Sequence, residues 1–367
     1  DYYQPEAYIP AKDLYIEKES QVNKEIENLR FGAMNSALTR RDTIVIASVS
    51  CIYNIGNPEN YENKSISFFL GQELEISKLS LELISMRYER DSYDFTTGVF
   101  RINGDIIEIY PPYEEYSYRI ELWGNKVENI SKIHPISKHK ITDLKEILVF
   151  PATSLVYSED VIKSATENIQ MDLNSRVSFL RNIGKEIEAY RLEQKTNYDI
   201  EMLKQVGYCK SMENYSIYFD GRKTGEPPYT LLDYFPSDYL MFIDESHITI
   251  PQIGGMYNGD KARKDNLIEY GFRLPSARDN RPLNFNEFRK KQNTSVYISA
   301  TPSDWEIEDS NLHVTELLTR PTGLLDPVVD VRKTDGQIDD VIREITENVK
   351  KKKRVLVTTL TKRMAED

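Results

Sequence analysis

Asp244 and Glu245 directly follow the apolar run Leu240-Met241-Phe242-Ile243, so two carboxylates sit where a buried-type strand ends. Open α/β sheets take their ligands outside the carboxyl ends of their strands. Hydrolysis of a nucleoside triphosphate needs one carboxylate to hold Mg²⁺ through its water shell and another to orient the attacking water. Asp244 and Glu245 together could supply such a pair. Alone, the pair reads more simply as a strand with a polar end. A second apolar run, Ser295-Val296-Tyr297-Ile298, ends in the same manner with Ser299, Ala300 and Thr301. His247 is either a sensor in contact with the carboxylates or a packed histidine, and the sequence leaves both open. No Gly-x-x-x-x-Gly-Lys-Ser/Thr loop, whose amides would cradle phosphates, occurs anywhere. The nearest segment, Gly221–Tyr229, contains glycines and a lysine but runs into Pro227-Pro228 instead of a helix. The chain alone is therefore expected to bind ATP poorly and to lack hydrolytic activity.

The stretch DYYQPEAYIPAKDLYIEK at 1–18 is the second feature with chemical potential. It holds Tyr2, Tyr3, Tyr8 and Tyr15 among two prolines and few aliphatic residues. Pro5 and Pro10 lack amide donors, which keeps either flank out of the middle of a larger sheet. A ribbon excluded from a sheet projects from one. Tyrosine rings offer sequence-tolerant stacking faces worth roughly 1–3 kcal/mol per base, and an inserted ring opens a base step at a cost of a few kcal/mol. A damaged or mismatched base costs less to unstack, so such a wedge senses lesions without reading sequence. The competing reading is a tyrosine-rich hairpin packed against the body.

Composition bounds these readings. The 367 residues suffice for two or three domains, and 40% hydrophobic with 29% charged residues is ordinary for a globular chain. A net charge of −12 argues against a bulk electrostatic coat for nucleic acid but leaves room for local aromatic contact. The one basic run, Lys350 to Arg354, reads as a solvated helix end. No apolar run is long enough to span a membrane. Cys51 and Cys209 are far apart and neither has a CxxC neighbour, which fits a reducing, cytoplasmic setting and excludes a zinc knuckle. There is no initiator Met and no leader, and the chain stops within a helix-like segment, so the reading is of a stretch cut from a longer protein at both ends.

The elements that must position these residues follow from periodicity. Ser20 is placed to cap a helix through Val22, Ile26 and Leu29, which leads to TIVIASVS (43–50), an apolar run of the kind buried on both faces of a parallel sheet. From 62 to 152 the texture is short alternating strands, with an Asn103-Gly104 hairpin turn and a repeat of the theme through YSYRIELWGNKVENI. Val161, Ala165, Ile169, Leu173, Val177 and Leu180 recur at helical spacing in a long amphipathic segment from Ser158 to Val206. Beyond Gly336 a helical run (Ile338, Val341, Ile342, Ile345, Val349) lies between the strand-like segments VVDV and RVLVTTL.

The pairing of DESH with SATP resembles the motifs by which superfamily 2 helicases couple nucleotide state to grip on nucleic acid. With DYYQPEAYIP, IASVSCIY, YTLLDYFP, GMYNGDKARK, GFRLPSARDNRPL, RPTGLLDP and VTTLTKRMAED, the chain resembles the UvrB family from end to end. These are the damage-verifying subunits of the bacterial excinuclease. The resemblance implies an α/β, superfamily 2 fold. Residues 1–61, with the hairpin, and 153–333, with a helical region, would form the first RecA-like domain. Residues 62–152 would be an inserted β-rich domain that docks UvrA, and 334–367 the start of a second RecA-like domain. It implies ATP and Mg²⁺ as cofactors, and damaged double-stranded DNA, UvrA and UvrC as partners. Asp244 and Glu245 match the Mg²⁺ and water-activating pair, Ser299 to Thr301 with His247 the coupling motif, and Tyr2, Tyr3, Tyr8 and Tyr15 the DNA-facing hairpin. Arg87, Arg90 and Arg101 are expected at the UvrA contact, although Asn103 stands where relatives commonly have a second basic residue. An ordinary helicase and the UvrB-like adaptor module of a transcription-repair coupling factor are the alternatives; the tyrosine ribbon speaks against the first and intact DESH and SATP against the second.

Overall fold

Alternating apolar and polar residues between 99 and 133 build the largest sheet of a mixed α/β chain. The computed structural model describes residues 3–20, 24–318, 323 and 325–366. Six strands lie in the order Lys140–Leu144, Lys126–Ile133, Ser117–Trp123, Ile106–Tyr110, Val99–Asn103 and Glu89–Arg90. All neighbours are antiparallel except the last pair. The hairpin forms where the sequence predicts it, but one residue later: Asn103 ends its strand opposite Ile106, and the two-residue turn is Gly104-Asp105, with Gly104 at φ 60°. Phe100, Ile107, Ile109, Ile120 and Ile130 make a core with Leu79 and Leu83 of the helix Ile76–Ser85. Phe68 and Val149 join it from the two-stranded ribbon Ile66–Phe69 and Glu146–Val149.

The long helical segment is two helices. Ser158 caps Glu159–Asn182 by accepting from the Val161 amide, and Ala165, Ile169, Leu173, Val177 and Leu180 are all buried. Gly184, at φ 78°, ends that run, and Glu186–Val206 folds back so that Ala189, Leu192, Ile200 and Leu203 complete the same cluster. The helical stripe was legible; the reversal depends on a single glycine.

Four expected elements differ. Ser20 lies in a strand paired with Tyr3, and the first helix spans Lys24–Thr39. The run at 43–50 forms no ladder, and Ile44 and Ile46 are 93% and 98% exposed. VVDV and RVLVTTL likewise carry no strand. The reason is common to the last three: an apolar run becomes a parallel strand only with a neighbour for its amides and carbonyls. The only parallel pairs among the described residues are Leu240–Ile243 with Thr294–Tyr297 and Glu89–Arg90 with Val99–Phe100. The predicted helix after Gly336 does form, as Gln337–Lys350.

Residues 1–312 and 313–367 are separate compact units. Within the first, the helix Ser246–Glu269 starts at the end of strand Leu240–Ile243 and finishes against the helical pair. Its exit is set by Gly271, at φ 71°, where an added Cβ would lie 2.2 Å from the Glu188 carbonyl oxygen. Gly271→Ala therefore combines backbone strain with a clash against main chain, and is expected to cost more than about 2 kcal/mol. Urea denaturation should show a lowered midpoint; an unchanged midpoint contradicts this packing.

Candidate nucleotide edge and aromatic hairpin

The two motif-bearing strands run in parallel register, Leu240 to Thr294 through Ile243 to Tyr297. Two backbone bonds extend that pairing past the strand ends: the Ile298 amide donates to Ile243 O at 2.9 Å, and the Ser246 amide donates to Ile298 O at 3.0 Å. Asp244 and Glu245 thus emerge beside Ser299, Ala300 and Thr301. Glu245 takes the left-handed conformation (φ 45°, ψ 48°), which turns the chain sharply into the helix. Both carboxylates are exposed. His247 lies between the motifs, with Nδ1 2.7 Å from the Ser299 hydroxyl and 3.6 Å from a Glu245 carboxylate oxygen. Ser299 Oγ also accepts from the Thr301 amide at 3.1 Å. His247 is therefore a contact between the motifs and not a core residue.

Asp244 and Glu245 offer hard oxygen donors at an open strand end, which fits a hydrated Mg²⁺ held mostly by water and by a ligand's phosphates. Among the described residues no group of three or more His, Cys, Asp or Glu could enclose a metal. The donor set suits a shared ion, not a protein cage.

The opening ribbon is a hairpin. Ala7–Ile9 pairs antiparallel with Leu14–Ile16, and Tyr3–Gln4 pairs with Glu19–Ser20 at its base. Pro10–Lys12 forms the bend, closed by Asp13 at φ 46°. Neither strand pair joins a larger sheet. Tyr8 and Tyr15 are direct cross-strand partners and so share one face, which is the face turned to the body. Tyr8 packs against Tyr270 and Phe272, with ring centroids 4.7 and 4.9 Å away. Tyr15 stacks on Phe272 at 4.5 Å and 6°. Tyr2 lies outside the described residues, and Tyr3 is placed by its backbone alone, opposite Ser20.

A residue without apparent chemistry in the sequence anchors this hairpin. Glu6, 6% exposed, accepts from Arg273 Nε at 2.7 Å and from the Tyr15 hydroxyl at 2.5 Å, with Lys195 at 3.4 Å. Arg263 donates to the Glu6 carbonyl. Burial alone would raise the Glu6 pKa, but the charge and hydrogen bond of Arg273, with Lys195 and Tyr15, more than offset it and leave the value below its ordinary 4.5. The partners are up to 267 positions apart, so no local signal in the sequence pairs them.

The three expected partner-binding arginines have three different settings. Arg87 caps the end of Glu186–Val206, donating to Val206 O at 2.9 Å and to Gly207 O. Arg90 is exposed on the edge strand of the six-stranded sheet. Arg101 is bound to the buried Glu108, which also takes Arg119, so Arg101, Glu108 and Arg119 form one rung across three strands. Lys138, 3.7 Å from Glu108, and the Phe95 ring beneath Arg101 and Lys138 complete a cationic cluster. Arg119, Lys138 and Phe95 were missed in the sequence. Alternation along the strands would have placed Arg119, but nothing local places Lys138.

The family described as "UvrB interaction domain" matches residues 66–155, and that described as "UvrB third helical domain" matches 160–221. Over all 367 residues the chain is 50% identical to the "UvrABC system protein B" of Streptomyces avermitilis, covering 51% of that protein. It is 50% identical to that of Thermobifida fusca and 51% to that of Bifidobacterium longum, each over 100% of this chain and 52% of the relative. The chain spans about half the length of the curated relatives it matches.

The Glu6 anchor has a defined pH signature. Its folded pKa is depressed, so its contribution to stability is complete above about pH 4.5 and is lost as pH falls through the folded value. Glu6→Gln should lower stability at neutral pH and flatten the acid limb of the unfolding profile below about pH 4.5. Arg273→Ala leaves a buried carboxylate without its main partner and should cost about 3–5 kcal/mol. Urea titrations at pH 7 and at acid pH check both; parallel acid limbs for Glu6→Gln and the unaltered chain would contradict the assignment.

Proposed function

The chain belongs to the UvrB family, and on that footing we propose that it forms the lesion-engaging and nucleotide-coupling part of an ATP-dependent damage-verifying protein of nucleotide excision repair. Residues 1–61 and 153–312 form a RecA-like domain of superfamily 2 type, 62–152 an inserted domain, and the separate unit 313–367 holds the start of a second RecA-like domain. The observation that carries the reading is the 2.7 Å contact between His247 and Ser299, which joins the two motifs at one sheet edge.

In this reading Asp244 would hold Mg²⁺ through water, and the ion would neutralise charge on the phosphates of ATP. Glu245 orients the attacking water. His247, within 3.6 Å of Glu245, passes a change of charge there to Ser299, and Ser299 passes it to the Thr301 amide. The phosphate cradle is contributed by sequence other than these 367 residues, in which no such loop occurs.

The hairpin divides its labour. Tyr8 and Tyr15 brace it against Phe272 and Tyr270. Tyr2 and Tyr3 supply the stacking faces that enter DNA between its strands, where a lesion lowers the cost of unstacking. The six-stranded domain receives DNA from UvrA, with exposed Arg90 a more direct contact than Arg87 or Arg101, whose guanidinium groups are committed within the chain. UvrC acts after verification. Among the described residues no helix is long and apolar enough to cross a membrane.

Two variants of the complete protein test the reading. Tyr2→Ala with Tyr3→Ala should abolish stable retention on lesion-containing duplex while leaving docking to UvrA intact, measured by gel shift with UvrA and ATP. Equal retention removes the wedge. Glu245→Ala should lower ATP hydrolysis at least about a hundredfold, the usual contribution of a positioned base; a near-normal rate would remove Glu245 from the site.

A further inference from the structure

Glu306 lies outside both motifs, yet it touches the residue between Glu245 and His247. It is 3% exposed, on the short helix Asp304–Asp309 that follows SATP. One carboxylate oxygen accepts from the Ser303 amide at 2.6 Å and from the Ser303 hydroxyl at 2.9 Å, which closes a capping box. The other accepts from the hydroxyl of Ser246, a residue with no exposed surface. The Ser246 hydroxyl also lies 3.2 Å from Ile298 O, and its amide donates to the same carbonyl.

Two other boxes of this kind show what is particular here. In Thr230–Asp233 the spare carboxylate oxygen takes Lys291. In Asn284–Glu287 the carboxylate takes Arg281. Of the three boxes among the described residues, the one at Ser303 alone gives its spare oxygen to a neutral hydroxyl, and that hydroxyl belongs to DESH. A buried carboxylate without a cation is costly to keep unless its donors are well placed. Burial by itself would raise the Glu306 pKa, and the Ser246 and Ser303 hydrogen bonds outweigh it and bring the value below the ordinary one. A cap alone does not require that arrangement, since the same box closes with a cation at both other helices.

We infer that Glu306 is a positioning residue that ties Ser246 of the first motif to Ser303 beyond the second, so that the carboxylate turn and the SATP turn move as one body. The inference rests on the proposed ATP-coupled function. The physical consequence falls on Glu245. Its left-handed backbone is one that non-glycine residues rarely adopt, and it is held by what grips the next residue. The Ser246 amide is held by Ile298 and its hydroxyl by Glu306, so a displacement of the SATP turn reaches Glu245 through Ser246 as well as through His247. This second link runs between two buried side chains, out of solvent.

The test uses the complete protein, with ATP hydrolysis measured with and without DNA for the unaltered sequence, Ser246→Ala, Glu306→Gln and the double variant. Gln retains the size and capping ability of Glu but is no longer an acceptor at both ends. Each single variant should lower the ratio of DNA-stimulated to unstimulated kcat by about tenfold, and the double variant should lower it no further, as for residues acting through one contact. The KM for ATP should stay within about twofold, which separates lost coupling from lost binding. The thermal midpoint of Glu306→Gln should stay near that of the unaltered protein, which separates it from unfolding. An unchanged ratio in either single variant, or losses that multiply in the double variant, overturns the inference while leaving the proposed function standing. No DNA stimulation in the unaltered protein overturns both.

Discussion

Two backbone hydrogen bonds beyond the ends of a parallel strand pair position most of the chemistry in this chain. Ile298 donates to Ile243 and Ser246 donates to Ile298, and in that short ladder the carboxylates, the histidine and the Ser-Ala-Thr turn meet. The same ladder aims the helix Ser246–Glu269. That helix has 24 residues, so about 36 Å separate its ends. Its start carries the carboxylate turn, and its far end presents Arg263, Leu267 and, just beyond, Tyr270 and Phe272 to the hairpin. One rigid element therefore bears on both candidate sites, and a misplaced start would move the hairpin support as well.

Buried carboxylates recur wherever parts distant in sequence are held together. Glu6 joins the hairpin to Arg273 and Lys195, Glu108 joins three strands through Arg101 and Arg119, and Asp220 ties Tyr157 to Arg222 in the loop before YTLLDYFP. Each is paid for by cations or by two or more donors, because an uncompensated charge in the interior would cost more than the fold can spare. Such pairs contribute orientation more than net stability.

The aromatic ribbon illustrates how burial revises a composition argument. Pro5 and Pro10 keep it out of any larger sheet, as expected from their missing amides, and it does form a separate hairpin. Yet Tyr8 and Tyr15, which look equivalent to Tyr2 and Tyr3 in the sequence, share the inward face because they pair directly across the strands. The presence of a hairpin was legible. The face each ring occupies was not, because it depends on Phe272 and Tyr270, more than 250 residues downstream.

What the amino-acid sequence determined alone is what short-range physics controls. The hairpin turn at Gly104, the stripe from Ala165 to Leu180, the Ser158 cap, and the strand ends at Asp244 and Ser299 all follow from neighbours within a few positions. Apolar runs alone were insufficient: 43–50 and 354–360 have the composition of strands but no ladder, because a strand is completed by a partner and not by its own residues. Only the tertiary structure decided that Glu6 meets Arg273, that Lys138 reaches Glu108, and that Ser246 meets Glu306 across 60 positions. Those contacts depend on where long-range packing brings charged groups out of water. No local pattern encodes that distance.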